Sequence, residues 1–168
     1  MENTHFADCF EPVYDEHSKV LLLGSNPPPD SRKAEFYYSG PNNRFWKTIA
    51  AVFNDETPKE ILAKKEFCYR HKIALWDVFQ SCDRVGASDA TIENAVPNDI
   101  KGLIDKTNIK SVFCLGKKAY DGYCMYRNEI GKLIPEAVLL VSSSCAARNA
   151  KSDAELIIHY KEELSKVL

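Results

Sequence analysis

Four short apolar runs, each followed by a helical pattern, predict an α/β fold: a parallel sheet covered by helices on both faces. The runs are Lys19–Leu23, Ile73–Trp76, Lys110–Leu115 and Val138–Val141, and they stop at Gly24, Asp77, Gly116 and Ser142. Strands that alternate with helices need crossovers, which are right-handed and put helices on the sheet faces. Ligands of such sheets bind beyond the carboxyl ends of the strands. Four loops are thereby marked before any motif is considered.

The elements follow in order. After Lys19–Leu23, the spacing of Phe45, Trp46, Ile49, Val52 and Phe53 predicts a helix beginning near 41–43, with Asn42 or Asn43 as cap. Thr57-Pro58-Lys59-Glu60 reads as a cap, a first-turn proline and a capping-box glutamate, opening a helix that runs to about His71. Ile73–Trp76 is the second strand. Residues 80–96 are mixed and polar and read as a long loop, which in a compact domain is usually functional. Pro97 starts a helix ending near Lys106, Lys110–Leu115 is the third strand, and Lys117–Asn128 a helix. Val138–Val141 is the fourth strand, and Ser152–Val167 an amphipathic helix.

The 168 residues suit one domain, 1–168, with 45% hydrophobic and 27% charged residues, so neither a disordered nor a membrane class is expected. No apolar run approaches the roughly 20 residues of a spanning helix, and the start lacks a secretion signal, so a cytoplasmic location is expected. A net charge of −2 argues against bulk electrostatic coating of nucleic acid. The six cysteines form no C-x-x-C pair and no zinc-finger spacing, so no metal is expected.

Residues 24–46, GSNPPPDSRKAEFYYSGPNNRFW, hold four prolines, three asparagines and five aromatics directly after the first strand. Gly24 permits close approach of a ligand to bare backbone, with Ser25 beside it. Pro27, Pro28 and Pro29 stiffen the loop. Asn26 and Asn43 offer amides that donate and accept, and Tyr37 and Tyr38 offer flat faces. These features describe a pocket for a planar, hydrogen-bonding heterocycle such as a nucleobase. The loop lacks the lysine of a P-loop and the G-x-G-x-x-G of a dinucleotide site.

G-S-N-P followed by Y-Y-S-G-P-N-N-R-F-W resembles the first motif of the uracil-DNA glycosylase superfamily. The wider pattern, FEPVYDEHSKVLLLGS, FYYSGPNNRFWK, HKIALWDVFQSCDRVGASDATI and VPNDI, is more similar to the hypoxanthine (deoxyinosine) DNA glycosylase family. The resemblance implies a three-layer α/β/α fold on a central four-stranded parallel sheet. It also implies removal of a deaminated base, hypoxanthine or uracil, from DNA by a monomer without metal or cofactor, leaving an abasic sugar. Asn26 matches the catalytic asparagine of the mismatch-specific uracil/thymine enzymes, and Asn43 the one assigned that role in the hypoxanthine family. Tyr38 falls where a ring stacks on the flipped base, and Ser142, Ser143, Ser144, Cys145 and Ala146 fall on the DNA-gripping second motif. The chain departs from the hypoxanthine pattern at Asn26 (usually Phe), Pro28 (usually Ser), Leu115-Gly116 (commonly Asn-Gly) and in the second motif.

Each candidate has a plainer reading. Asn26 is also a good turn residue, and Asn43 a good helix cap. Asp77 ends a strand at the ligand side and can accept from a base N–H, act on water, or cap a helix. Ser142–Ser144 can hold phosphates through hydroxyls and amides or form local turns. Arg148 is the candidate groove or phosphate contact, whereas Arg32, Lys33 and Lys117 read as solvated surface. A catalytically inactive DNA-binding module and a nucleoside- or flavin-binding protein are the alternatives on the same fold.

Overall fold

Residues 2–147 and 150–168 are described by a computed structural model. Along the chain run β1 (Asn3–Phe6), β2 (Val20–Gly24), α1 (Pro29–Ala34), α2 (Phe45–Val52), α3 (Ile61–Arg70) and β3 (Ile73–Asp77). They are followed by β4 (Phe79–Val85), β5 (Glu93–Pro97), α4 (Ile100–Asp105) and β6 (Ser111–Leu115). The chain ends with α5 (Lys117–Glu129), β7 (Ala137–Leu140) and α6 (Asp153–Leu164). Among the described residues no helix is long and apolar enough to cross a membrane.

The expected parallel sheet is present, with strand order β3-β2-β6-β7. Period-two alternation sorts its side chains. Val20, Leu22, Ile73, Leu75, Phe113 and Leu115 face one core, with Phe45, Trp46 and Ile49 of α2, Phe67 of α3, and Leu156 and Tyr160 of α6. Leu21, Leu23, Ala74, Val112 and Cys114 face the other, with Ile100 and Leu103 of α4 and Ala119 and Tyr123 of α5. Burying each large apolar side chain contributes about 1.5–3 kcal/mol, so two cores sharing β2 fix its position in the middle.

The register aligns the strand ends. Gly24 lies opposite Asp77, Leu23 opposite Cys114 and Leu115 opposite Leu140, so the four marked loops leave from one edge. Outside the sheet's far margin, Val13 bonds both ways with Leu75, at 2.9 Å in each direction.

Several expectations are corrected. Residues 80–96 are not a loop: β4 and β5 pair antiparallel, and β1 adds to β4 to make a second, three-stranded sheet. Irregular register between Phe79 and Asp83 breaks the alternation that marks a strand, which hides β4 from pattern reading. The Pro-rich loop carries α1, with Pro29 in its first turn. The helix read from Pro58 starts only at Ile61: Glu60 is its extended N-cap and makes no side-chain cap. Pro97 ends β5 rather than starting a helix; α4 begins after Asp99, whose carboxylate accepts from Gly102 N at 3.0 Å. The capping box that does form is Ser152 with Glu155, opening α6.

Candidate active site

Gly24 ends β2, and the chain then turns under β4. Gly24 O accepts from Val78 N at 2.8 Å and Ser25 O from Phe79 N at 2.9 Å, which buries Ser25 and Asn26 at the root of the second sheet. Asn26 is 2% exposed. Its Nδ2 donates to Phe79 O (3.0 Å) and its Oδ1 accepts from Arg32 Nη2 (2.7 Å). Both ends of the amide are therefore engaged in holding the loop.

Two arginines that sequence reasoning did not place complete this support. Arg32 is no solvated surface residue: besides Asn26 it donates through Nε to Pro27 O at 2.8 Å and lies over the Phe6 ring. Arg84, on β4, is fully buried and donates to the carbonyls of Asn26 (2.8 Å), Gly86 (3.0 Å) and Ala87 (3.0 Å) and to Asp89 Oδ1 (3.0 Å). A buried guanidinium is tolerated when every fork position has an acceptor. No local signal marked either one, because their partners lie in other elements.

The two tyrosines separate. Tyr37 belongs to the core: its hydroxyl donates to Glu11 O at 2.8 Å, its carbonyl accepts from Trp46 Nε1 at 2.9 Å, and the residue is 2% exposed. Tyr38 adopts φ 51°, a left-handed conformation rare for a bulky side chain. Its ring lies 4.3 Å from the Phe45 ring and the residue is half-buried, while its hydroxyl is buried with no hydrogen-bond partner among the described residues.

Asp77 closes β3 beside Gly24 and is 4% exposed; its Oδ2 is likewise buried and unpaired among the described residues. Its carbonyl accepts from Asn98 Nδ2 at 2.8 Å. Burial pushes the carboxyl up to about 7, with Asp89 adding to the rise and Arg32 and Arg84 opposing it. Burial, then the Asp77 charge, also raises the Tyr38 phenol well above its ordinary value.

Asn43 sits at the other side of the loop, just ahead of α2. Its Oδ1 accepts from Phe45 N (2.9 Å) and Ser143 Oγ (2.7 Å), cross-linking the start of α2 to the loop after β7; the helix starts later than the expected 41–43, and its N-cap is Arg44 rather than Asn42 or Asn43. Its Nδ2 takes no partner among the described residues. Around it the loop after β7 is laced to the loop before α2. Arg44 N donates to Ser143 O at 3.0 Å, Cys145 N donates to Asn42 O at 2.8 Å, and Asn43 bridges Ser144. Arg44 also grips Lys151 O and Asp153.

In the second motif, Ser143 is buried, while Ser142 Oγ and Ser144 Oγ accept from Ser144 N (3.3 Å) and Ala146 N (3.2 Å) as local turns. Cys145 and Ala146 are exposed at the tip. Arg148 lies outside the described residues. Gly116, at φ 92°, lets the third loop pass with its Cα close to Ser142. Two hollows of about 180 and 190 Å³ border the Phe10–Pro12 segment, and neither is lined by Asn26, Tyr38, Asn43 or Asp77.

The family model described as the uracil DNA glycosylase superfamily matches residues 11–166. A hypoxanthine DNA glycosylase from Methanosarcina barkeri is 33% identical over 143 residues, covering 84% of this chain and 88% of that one. A protein of the same name from Methanosarcina acetivorans is 31% identical over 148 residues, covering 87% and 91%. The solution NMR structure of a candidate uracil DNA glycosylase from Methanosarcina acetivorans superposes with a TM-score of 0.77 at 27% identity, covering 95% of this chain and 98% of that one.

Proposed function

Because the chain belongs to the uracil DNA glycosylase superfamily and is a DNA N-glycosylase, we propose that it excises hypoxanthine, and with it uracil, from DNA as a monofunctional enzyme. The relatives named for hypoxanthine support that base first. The glycosidic bond is inaccessible inside a stacked duplex, so the nucleotide is flipped out and its base received at the carboxyl edge of the sheet, against the open part of the Tyr38 ring. Ser142–Ala146 and Arg148 meet the DNA backbone and groove, and the protein works as a cytoplasmic monomer.

The observation that carries this reading is the fixed amide of Asn43. With Oδ1 held by Phe45 N and Ser143 Oγ, the Nδ2 hydrogens have one direction left. They donate to a water whose free lone pair faces C1′. An amide does not titrate near neutrality, so the residue orients the water rather than deprotonating it. As the C1′–N bond breaks, its electron pair leaves with the base, the water adds to the sugar, and one proton is released to solvent. Asn26, both of whose amide ends are engaged, holds the loop instead.

The test is a set of duplexes, each with one hypoxanthine, uracil or undamaged base, treated with alkali after incubation. Hypoxanthine strands are cut. Asn43→Ala slows single-turnover excision by about 10²–10³ while lowering the unfolding free energy by no more than about 1 kcal/mol. Asn26→Ala lowers stability and activity together. A wild-type protein that opens none of the strands removes the proposal.

A further inference from the structure

We propose that the Tyr38 hydroxyl and the Asp77 carboxyl, the latter in its neutral acid form, are paired hydrogen-bond donors to the oxo group of the departing base. This deepens the proposed function and rests on it. The starting point is two buried polar atoms, Tyr38 Oη and Asp77 Oδ2, that have no hydrogen-bond partner among the described residues although such groups are almost always satisfied. They occupy one place. Gly24 and Asp77 are register partners, and a Cβ on residue 24 would fall 2.6 Å from Asp77 Oδ1 and 3.0 Å from Tyr38 Oη. The left-handed backbone of Tyr38 and its ring contact with Phe45 aim the phenol at the strand ends, where this fold receives ligands.

The surroundings set the protonation. Around Asp77 stand Cys9 from the N-terminal segment, Arg32 of α1, Tyr37 and Tyr38 of the following loop, Arg84 of β4 and Asp89 beyond it. Burial dominates and carries the carboxyl to about 7, so near neutrality a large share of it holds its proton. The phenol holds its proton throughout.

Two such donors suit a base that leaves as an anion. The electron pair of the broken bond delocalises onto the exocyclic oxygen of an oxopurine or oxopyrimidine. Donors fixed in a dry site stabilise that oxygen more in the transition state than in the bound base. The same pair discriminates. The oxo group that deamination creates has two lone pairs to accept both bonds, whereas the amino group of adenine or cytosine presents hydrogens to both donors.

Single-turnover excision of hypoxanthine, with protein in excess, is measured from about pH 6 to about pH 9. The wild-type rate falls as pH rises through about 7, because deprotonation removes one donor and adds a repelling charge. Asp77→Asn donates through its amide and does not titrate; it is slower than wild type at the acid end but level across the range. Tyr38→Phe keeps the ring and loses about 10²–10³ in rate, while affinity for a duplex carrying a tetrahydrofuran abasic analogue changes less than about threefold. A flat or rising wild-type profile overturns the inference, as does Asp77→Asn falling in parallel with wild type, or Tyr38→Phe at the wild-type rate. If Asp77→Asn does not fold, the wild-type profile and Tyr38→Phe decide. Absence of excision by wild type on both hypoxanthine and uracil sinks the proposed function itself; excision without the pH limb sinks this inference alone.

Discussion

A methyl group at position 24 would stand 2.6 Å from Asp77 Oδ1, so the bare Cα there is a requirement of side-chain packing at the strand end. Gly24→Ala must push the Asp77 carboxyl or the Tyr38 ring aside. Overpacking of this kind costs about 1–3 kcal/mol in stability. Displacing the two groups also lowers excision by about 10²-fold, the scale of one lost preorganised donor. Chemical denaturation and single-turnover rates of the variant check both; a variant as active as wild type would show that the convergence is unused. At this scale the sequence marked Asn26, Tyr37, Tyr38, Asn43 and Asp77 as candidates, because a strand end followed by amides and aromatics suits a planar ligand; of these, Tyr37 lies in the core. The sequence could not divide the asparagines. That division depends on Phe79, Arg32 and Ser143, residues 53, 6 and 100 positions away from the amides they hold.

Three of the four parallel strands were legible because a strand buried on both faces is a continuous apolar run, as Leu21-Leu22-Leu23 is, and the edge strand β7 because its run is apolar although Val138 and Leu139 are exposed. β4 and β5 were not, because their sheet is half exposed and its register shifts twice. Main-chain bonds and the Asn26 amide join this second sheet to the first, and one fully buried side chain adds a further link. Arg84 reaches from β4 to Asn26 O on the first loop and to two carbonyls and Asp89 on its own. Arg84→Met removes the donors, leaving the carbonyl of buried Asn26 unpaired and Asp89 without its ion pair. Breaking a buried charged network of this kind costs about 3–5 kcal/mol. The expected result is a denaturation midpoint lowered accordingly, with amide exchange in 79–89 accelerated more than in β2 or β6. Uniform acceleration across both sheets would mean that Arg84 stabilises the molecule as a whole and does not join two units.

With a net charge of −2, the molecule must hold a polyanion without a general excess of cations. Near the carboxyl edge, several cations are already committed inside the protein: Arg44 and Lys47 to Asp153, Arg84 to Asp89, Lys117 to Asp121 and Arg32 to the Asn26 loop. In the proposed function the edge offers DNA a turn, Ser142–Ala146, laced to the loop before α2 by Arg44 and Asn43, with the Ser142 and Ser144 hydroxyls as neutral donors to phosphates. Neutral donors release few counterions. Each phosphate neutralised by a cation contributes about −0.9 to the slope of log affinity against log salt, and proteins with 6–10 such contacts lose about 10³–10⁵ in affinity between low and moderate salt. This protein is expected to show a slope shallower than about −4. Fluorescence anisotropy with a duplex carrying an abasic analogue, titrated at several potassium chloride concentrations, measures it. A shallow slope would place recognition in the flipped nucleotide and the short turn that grips its flanks. A slope near −9 would require a cationic track along the duplex and would assign the grip on DNA to charge.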